Sequence, residues 1–274
     1  MRMENVMNMI SITDHEFIKF QRFIYDAAGI TLSSSKKVLV SGRLAKRLQH
    51  HQFNSYSQYF ELLSNGSAPQ EVQTAVDLLT TNETYFFREP KHFNLLREQA
   101  LAARKRAQVF RVWSAASSTG EEAYSIAMVL SDCLDGTPWE IIGSDISMRV
   151  LEKASTGHYP EERCTHIPKA YLKRFCLKGF GVEQGTTLIE SSLRNRVQFR
   201  QVNLNAALPE LGLFDVIFLR NVMIYFNGDT KRQVVARVLA QLKPGGYFCI
   251  GHSETLNDIT DAVHAVAPSI YRKE

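Results

Sequence analysis

Apolar residues before about residue 90 recur every three or four positions, and no strand-like alternation is visible. A first helix is predicted to begin after Thr13, which forms a capping box with Glu16, and to end at Gly29. Further helices are predicted over residues 36–48, 55–63 and 69–79. The pattern therefore predicts a small all-α N-terminal domain, with residues 1–90 covering a helical bundle and its linker.

After residue 109 the pattern changes, because short apolar runs alternate with helical segments as they do around a mostly parallel sheet. Strands are predicted over residues 109–113, 141–145, 197–202, 214–219 and 247–251, with a last edge strand at 269–271. Helices are predicted over residues 121–128, 150–155 and 230–242, the last of them stopped by the Lys-Pro-Gly-Gly run at 243–246. Residues 91–274 are therefore expected to form an α/β domain.

Residues 158–196 interrupt this alternation. They include the glycine-punctuated stretch 178–185, which lies between short β-prone runs. The stretch predicts a small antiparallel insertion rather than one long loop. Such an insertion can recognise a partner, act as a lid or merely fill space, and the sequence leaves these alternatives open.

The composition is that of a globular intracellular protein. The chain has 274 residues, of which 45% are hydrophobic, and no apolar run approaches the roughly 20 residues of a membrane span. Residues 1–9 lack the apolar core of a signal peptide. The four cysteines form no C-x-x-C pair, so we expect reduced thiols and a cytoplasmic location. Cys164 and His166 lack a second pair of ligands, so no metal site is predicted.

The net charge of +4 is too small to identify a nucleic-acid-binding protein, but its placement is informative. Segment 36–48 is helix-periodic, and its polar surface carries Lys36, Lys37, Arg43, Lys46 and Arg47. Such a helix can bind an acidic partner or phosphates, and a plain solvated face is the alternative. Arg43, Lys46 and Arg47 are the candidate substrate-binding residues.

The strongest chemical signal is the small-residue run 114–120, between a predicted strand and the helix that begins at Glu121. Small side chains there let a ligand lie against backbone N–H groups. The next strand ends in Asp145, whose carboxylate is placed to accept hydrogen bonds from two ribose hydroxyls. The run has one glycine rather than G-x-G-x-x-G, and two glutamates follow it. The pattern therefore favours a cationic nucleoside such as S-adenosylmethionine over a dinucleotide, with a plain βα turn as the alternative.

Two further clusters carry candidate chemistry. The linker 80–90 contains Arg88, whose guanidinium can bind a carboxylate through two hydrogen bonds, although its aromatic residues can also serve only to join two domains. Residues 220–226 close a central strand, where polar groups face the ligand crevice of such sheets. There Tyr225 can orient a nucleophile, or it can be an ordinary interfacial tyrosine.

Three long segments, in this order, resemble those of the CheR-type chemoreceptor glutamate methyltransferases. They read TTNETYFFRE at 80–89, VWSAASSTGEE at 112–122 and RNVMIYF at 220–226. The stretch GHSE at 251–254 is similar to the last motif of that family. The resemblance spans nearly the whole chain.

The resemblance implies a helical N-terminal domain, a Rossmann-like class I methyltransferase domain and an inserted β-subdomain. It implies S-adenosylmethionine as the methyl donor, S-adenosylhomocysteine as the product and receptor glutamates as acceptors. Between the neighbouring Glu121 and Glu122, it favours Glu122 as the donor contact. By motif position, the implied cofactor contacts are Asn82, Thr84, Arg88, Glu122, Asp145, Asn203, Leu204, Arg220 and Asn221.

The resemblance also implies partners and catalytic side chains. The partners are the cytoplasmic methylation helices of chemoreceptors, with a receptor C-terminal peptide at the β-subdomain as an option. We expect a monomer that binds no nucleic acid and does not insert into the membrane. Arg88 and Tyr225 are the candidate catalytic residues, and Arg88 can instead hold the donor's own carboxylate.

The chemistry of a glutamate acceptor agrees with this interpretation. A glutamate side chain in water has a pKa of about 4.3 and is already a nucleophilic carboxylate at neutral pH. No general base is therefore needed. The rate must come from aligning the acceptor oxygen, the methyl carbon and the sulfur, and from removing water. A nucleic-acid methyltransferase is the first alternative, although the sequence lacks an Asn/Asp-Pro-Pro-aromatic run at 220–223. A non-catalytic sensor of S-adenosylmethionine is the second.

Overall fold

A computed structural model describes residues 10–104, 108–134 and 136–274. The predicted absence of a signal peptide concerns residues 1–9, which lie outside the described residues. The backbone contacts divide the chain into a unit that ends at Thr81 and a unit from Asn82 to Glu274. Among the described residues, no helix has both the length and the apolarity needed to cross a membrane.

The first unit consists of four helices in the described part of the chain, as the apolar spacing predicts. These are α1 (Asp14–Ala28), α2 (Lys37–His50), α3 (Tyr56–Ser64) and α4 (Pro69–Leu79). The predicted capping box is present, since the Glu16 N–H donates to Thr13 Oγ1 (3.2 Å) and the Thr13 N–H donates to Glu16 Oε2 (2.9 Å). Gly29 ends α1 in the left-handed region, with φ of 72°.

A buried carboxylate joins the helices of this unit. Glu71 on α4 accepts hydrogen bonds from Arg47 Nε (2.7 Å) on α2 and from the Tyr59 hydroxyl (2.7 Å) on α3. Burial raises the pKa of Glu71, but the hydrogen bonds from Arg47, Tyr59 and His51 outweigh it and lower the pKa to about 2. Glu71 is therefore ionised wherever the unit is folded above that pH.

The second unit is built on a seven-stranded sheet with the order β6-β2-β1-β7-β8-β10-β9. Its strands are β1 (Phe110–Ser114), β2 (Trp139–Asp145), β6 (Val197–Gln201), β7 (Phe214–Leu219), β8 (Leu242–Ile250), β9 (Val263–Ala267) and β10 (Ile270–Lys273). The first five in the spatial order run parallel, and β10 and β9 are antiparallel additions. The carboxyl ends of the five parallel strands therefore share one edge of the sheet, where ligands bind in such folds.

The described part of this unit has six α-helices, several of which pack apolar side chains on the seven-stranded sheet. They are α5 (Pro90–Ala103), α6 (Glu121–Cys133), α7 (Met148–Thr156), α8 (Lys169–Phe175), α9 (Ser191–Arg194) and α10 (Gly228–Ala240). The side chains of α6 are buried almost throughout, so this helix lies in the centre of the unit rather than on its surface. Phe86, Leu96, Val112 and Ile126 belong to one continuous core.

The predicted insertion folds as a small β-subdomain, which is the second sheet of the unit. The strands β3 (His158–Pro160), β4 (Cys176–Lys178) and β5 (Thr186–Ile189) form an antiparallel sheet in the order β3-β5-β4. The 3₁₀ helix Glu161–Cys164 follows β3, and α8 leads into β4. The side chains of Tyr159 and Ile189 face the core, and that of Leu177 is half exposed.

The structure corrects three details of the predicted unit. Segment 269–271 is not an edge strand, because β10 lies between β8 and β9. The edge strand β9 was missed, since all but its first residue are exposed and its pattern carries little hydrophobic signal. The run 243–246 does not precede its strand but lies inside β8 as an irregularity, where Leu242 pairs with Phe214 and Tyr247 pairs with Val216.

The boundary between the units also differs from the predicted one near residue 90. Segment 82–89 lies in the second unit, where Phe86 is fully buried in the core and the Phe87 N–H donates to Ser125 Oγ (3.0 Å). The sequence of this segment is polar and aromatic rather than helix-periodic. Periodicity therefore could not show whether the segment belongs to the helical unit or to the α/β unit. Helix α5, which follows it, was not predicted.

We expect Glu71→Gln to destabilise the helical unit by about 2 kcal/mol at neutral pH, because it leaves Arg47 half-buried beside a neutral partner. The folded pKa of Glu71 lies below its unfolded value of 4.5, so its contribution is present above that pH. It is lost as the pH falls toward about 2.

Chemical denaturation at several pH values measures the difference between wild type and Glu71→Gln. This difference should shrink as the pH falls from about 4.5 to about 2. Glu61→Gln, at an exposed position of α3, is the control. A difference that stayed constant over that interval would contradict the role assigned to Glu71.

Candidate active site

The parallel strands bring five loops together at their carboxyl ends. Along the sheet, these loops follow β6, β2, β1, β7 and β8. The chain leaves β1 toward β2 on one side and reaches β7 on the other, so the strand order reverses between β1 and β7. A crevice opens at such a point in open α/β sheets. The predicted cofactor residues from Glu122 to Asn221 lie on these loops or at the first turn of α6.

The turn after β1 packs directly on the end of β2. Its Ser118 N–H donates to Asp145 Oδ2 (3.0 Å), and the Ser147 N–H donates to Asp145 Oδ1 (3.0 Å). Gly120 has a φ of 94°, and a Cβ there would lie 2.9 Å from both Ala154 Cβ and Tyr159 Oη. Only glycine fits this position, since the conformation is left-handed and the space is filled. The N–H groups of Ser118 and Ser147 fix the orientation of the Asp145 carboxylate.

A buried ion pair closes the other side of this turn. Arg220, at the end of β7, donates through Nη1 to Glu122 Oε2 (2.9 Å), and its Nη2 lies 3.1 Å from Glu89 Oε2. Ser114 Oγ donates to the second Glu122 oxygen (2.7 Å). Burial raises the pKa of Glu122, and the charge of Arg220 opposes that rise. Glu122 and Arg220, both predicted as cofactor contacts, therefore bind each other.

Glu89 belongs to a second cluster with two histidines. His92 Nδ1 lies 3.4 Å from Glu89 Oε2, and the other ring nitrogen lies 2.8 Å from Ser269 Oγ. Ligand atoms of Glu89, His92 and His252 all lie within 4.8 Å of one another. Burial, followed by the charge of Arg220, lowers the pKa of His92 to about 3, so its ring is neutral at physiological pH. A metal dication there would face the Arg220 guanidinium beside the same Glu89 oxygen, which disfavours metal binding. The hydrogen bond to Glu89 in this cluster comes from the His252 backbone N–H (3.0 Å).

Glu254, in the GHSE stretch, determines the shape of the loop after β7. Its Oε2 accepts from the N–H groups of Gly251 (2.7 Å) and Asn221 (2.9 Å), and its Oε1 accepts from that of Ile224 (3.3 Å). Asn221 is held in the left-handed region, with φ of 57°. A Cβ at residue 251 would clash with the Asn221 amide. Tyr225, at the end of the following 3₁₀ turn, is half-buried.

The linker residues take different positions in the second unit. The Arg88 guanidinium lies 5.5 Å from the centre of the Tyr85 ring and donates to the Glu83 carbonyl (3.3 Å). The Asn82 carbonyl accepts from Ser118 Oγ (2.8 Å), which places Asn82 against the turn after β1. The Thr84 carbonyl accepts from Arg163 Nη2 (3.1 Å). Segment 82–88 therefore borders the same turn that holds Asp145.

Asn203 and Leu204 follow β6 on the far side of Asp145. The Asn203 side chain accepts from the Asn205 N–H (2.9 Å), and the carbonyl of the buried Leu204 accepts from Arg237 Nη2 (2.8 Å). The loop after β6 is thus fixed by local bonds, with its residues next to the end of β2 in the strand order.

The predicted substrate-binding residues lie on α2 of the helical unit, and two of them hold that unit together. Arg43 donates to the carbonyls of Leu79 (3.1 Å) and Thr80 (3.0 Å) at the end of α4, and Arg47 binds Glu71. Lys46 is exposed. The apolar periodicity of segment 36–48 predicted this helix correctly. The positions of its basic residues do not show which cation binds a neighbouring helix and which faces solvent.

Several residues of this edge were not selected from the sequence. Glu121 was set aside in favour of Glu122, although it is fully buried and binds Arg163. Glu89, His92 and Arg163 are single polar residues whose partners are distant in the chain, so no local spacing marks them. Glu254 lies in a recognised motif, and only its burial beside backbone N–H groups shows what it does.

Comparison with known proteins gives the same two parts that the structure shows. The description "CheR methyltransferase, all-alpha domain" matches residues 15–80, and "CheR methyltransferase, SAM binding domain" matches residues 82–271. The chain belongs to the CheR methyltransferase family. It is therefore an S-adenosylmethionine-dependent methyltransferase with an all-α N-terminal domain and a class I α/β domain carrying a β-subdomain.

Curated relatives of this family align over most of the chain. A chemotaxis protein methyltransferase of Escherichia coli (strain K12) is 40% identical over 91% of this chain and 87% of its own length. A chemotaxis protein methyltransferase 2 of Pseudomonas aeruginosa is 41% identical over 94% of this chain and 93% of its own length. Both alignments include the helical unit and the α/β unit.

Solved structures give a more distant likeness. The S-adenosylmethionine complex of the glycopeptide N-methyltransferase MtfA is 18% identical over 56% of this chain and 48% of that chain, with a TM-score of 0.33.

The residues at the crevice fit the donor. Ser117 Oγ and Ser147 Oγ are buried and have no hydrogen-bond partner among the described residues. Both lie in loops whose N–H groups bind β2 or Asp145. Buried hydroxyls normally have a partner, and a polar ligand against this edge supplies one. The carboxylate of Asp145, at the carboxyl end of β2, suits a ligand that donates hydrogen bonds or carries positive charge.

We expect Asp145→Ala to weaken binding of S-adenosylhomocysteine by at least about a hundredfold. A carboxylate that accepts from two ribose hydroxyls contributes two charge-assisted hydrogen bonds, each worth about 1.5–3 kcal/mol. Calorimetric titration measures the dissociation constant, and thermal unfolding shows whether the variant is folded.

Asp229→Ala, at an exposed position of α10, is the matched control and should bind like wild type. If folded Asp145→Ala bound S-adenosylhomocysteine within threefold of wild type, the assignment of Asp145 to the donor would be wrong.

Proposed function

We propose that this protein transfers the methyl group of S-adenosylmethionine to the side-chain carboxylate of glutamates on membrane chemoreceptors. The reaction forms glutamyl methyl esters in the cytoplasm and S-adenosylhomocysteine as the second product. The observation that carries the proposal is the alignment of nine-tenths of the chain with chemotaxis protein methyltransferases, together with the state of the carboxylates at the crevice.

Three acidic side chains at this edge are already bound to other groups. Glu121 binds Arg163, Glu122 binds Arg220, and Glu254 accepts from three backbone N–H groups. His92 is buried and neutral, and its Nε2 lies beside Ser269. Such groups are poorly placed to remove a proton from an amine or a hydroxyl. They suit an acceptor that arrives ionised, as a glutamate does at neutral pH.

The remaining requirement is alignment. S-Adenosylmethionine supplies an electrophilic methyl group when it is bound. Tyr225 follows the strand next to β1, and we assign its hydroxyl to orienting the acceptor oxygen. Arg88 belongs to segment 82–88, which borders the turn after β1. We propose that its guanidinium binds a carboxylate, either that of the acceptor or that of the donor. The remaining motif residues, Asn82, Thr84, Glu122, Asn203, Leu204, Arg220 and Asn221, are proposed to form or support the donor site.

Two surfaces are proposed to contact the receptor. The first is the basic face of α2, where Lys46 supplies exposed charge while Arg43 and Arg47 keep the helix in place. The second is the solvent face of the β-subdomain, where Leu177 and Phe180 are 50% and 80% exposed. Leu177 belongs to the edge strand β4, which Phe180 follows in the chain, and an extended peptide can add to such an edge. A receptor C-terminal peptide is the proposed occupant.

The reaction class is tested with methyl-labelled S-adenosylmethionine and a membrane fraction that contains chemoreceptors. We expect label on receptor protein that survives nuclease and leaves as volatile methanol in mild alkali, because only a carboxyl methyl ester is hydrolysed under these conditions. Tyr225→Phe should reduce the initial rate roughly tenfold, the effect of one lost hydrogen bond, without changing donor affinity. Arg88→Ala should reduce it further, with a loss divided between donor binding and transfer.

Tyr271→Phe, a half-buried tyrosine of β10, is the control and should leave the rate unchanged. Label that resisted alkali would overturn the glutamate assignment, and label on nucleic acid would favour the nucleic-acid enzyme. Tight donor binding with no transfer to any receptor would favour a sensor module.

Kinetic measurements with the receptor as substrate distinguish the two proposed receptor surfaces. Lys46→Glu should raise the KM for receptor at low salt and lose that effect at high salt, because screening acts over about 8 Å at physiological ionic strength. Phe180→Asp should raise the KM only for receptors that keep their C-terminal peptide. Val266→Asp, at an exposed apolar position of β9, is the control. Unchanged kinetics in either variant would remove that surface from the proposal.

A further inference from the structure

The cation Arg163 joins the β-subdomain to the end of the sheet where the donor is proposed to bind. Arg163 lies on the 3₁₀ helix Glu161–Cys164, directly after β3. Its Nε donates to Glu121 Oε1 (2.9 Å), at the first turn of α6, and its Nη2 donates to the Thr84 carbonyl (3.1 Å). One guanidinium therefore bonds to two segments that are far apart in sequence and border the same crevice.

The carboxylate that receives this cation is fully buried. Glu121 Oε1 binds Arg163, and its other oxygen accepts from Thr119 Oγ1 (2.6 Å). A buried carboxylate is strongly destabilised when its cationic partner is removed. Glu121 directly follows Gly120, so a shift of its backbone would reach the turn whose Ser118 N–H holds Asp145.

Neutral contacts run beside the ion pair. The Tyr159 hydroxyl donates to the Thr119 carbonyl (2.7 Å), and the Tyr159 ring packs edge-on against Phe86 with centroids 5.1 Å apart. The rings of Tyr85 and His166 lie 4.9 Å apart. These contacts place the β-subdomain along segment 82–88 as well as along the turn. They do not by themselves fix the backbone of Thr84, which Arg163 binds directly.

We propose that Arg163 is a positioning residue for donor binding, which joins segment 82–88 to the first turn of α6 and makes the β-subdomain part of the frame of the donor site. This inference rests on the proposed assignment of segment 82–88 and the turn after β1 to the donor. Holding both segments in the bound arrangement before the ligand arrives removes an ordering penalty from binding. Affinity for the donor is therefore the quantity that Arg163 controls.

The coupling works in both directions. If the β-subdomain improves donor affinity by holding the two segments, a bound donor must stabilise the β-subdomain against local opening by the same free energy. S-Adenosylhomocysteine should thus slow amide hydrogen exchange in residues 159–166, and the effect should be smaller when Arg163 is replaced.

The decisive experiment compares Arg163→Met, Arg163→Lys and the control Arg174→Met. Arg174 is an exposed cation on α8 that binds Asp132. For Arg163→Met, we expect the dissociation constant of S-adenosylhomocysteine and the KM for S-adenosylmethionine to rise about tenfold, the effect of a lost charge-assisted bond. At saturating donor, kcat should stay within about twofold of wild type, since Arg163 does not touch the reacting atoms. Arg163→Lys should recover part of the affinity, because one ammonium keeps the charge but not the two-acceptor geometry.

A merely structural role would lower the melting temperature and leave the donor affinity of the folded protein unchanged, and that result would overturn the proposal. A fall in kcat with unchanged affinity would overturn it as well. If Arg163→Met does not fold, Arg163→Lys decides by the same criteria, with a donor affinity equal to wild type as the contrary result. Failure of the wild-type protein to bind S-adenosylhomocysteine would instead contradict the donor assignment itself, which separates the two inferences.

Discussion

The burial of Arg220 between two carboxylates is the interaction on which the crevice depends. Its side chain is 2% exposed, so its charge is removed from water and must be balanced by Glu89 and Glu122. Each partner lies on a different segment, one before α5 and one in the first turn of α6. Arg220 also donates to the backbone carbonyl of Arg88. The end of β7 is thereby joined to segment 82–89 and to the first turn of α6, and loss of Arg220 would remove the cation from both carboxylates.

Similar arrangements compensate the other carboxylates at this end of the sheet. Carboxylates close to one another repel, yet Glu121, Glu122 and Glu254 each have a counter-charge or a set of N–H donors. Asp145, like Glu254, accepts from the backbone N–H groups of two loops, so its carboxylate is held at the place where the donor ribose is proposed to lie.

The sequence was sufficient for features that depend on local spacing. The capping box at Thr13, strand 214–219 and Asp145 at the end of a strand all follow from short patterns of residues that are neighbours in the chain. Features that depend on distant partners did not follow. The pairing of Glu121 with Arg163 spans 42 positions, and that of Arg220 with Glu89 spans 131. No spacing rule connects such residues, so the ion pair of Glu122 with Arg220 was not predicted, and their role as cofactor contacts stays a prediction. Strand β9 was missed for a different reason, since an exposed edge has no buried face to create a pattern.

The place of β10 in the sheet sets the order in which the antiparallel strands can join it. β9 precedes β10 in the chain, yet it is connected to the sheet through β10, which pairs with β8 on its other side. Until β10 has paired with β8, β9 has no place in the sheet and the edge of β8 is open to other strands. The contact of His92 on α5 with Ser269 likewise depends on the segment directly before β10. The parallel part of the sheet can therefore form before its antiparallel border, and in that interval the edge of β8 is the place where another chain could pair.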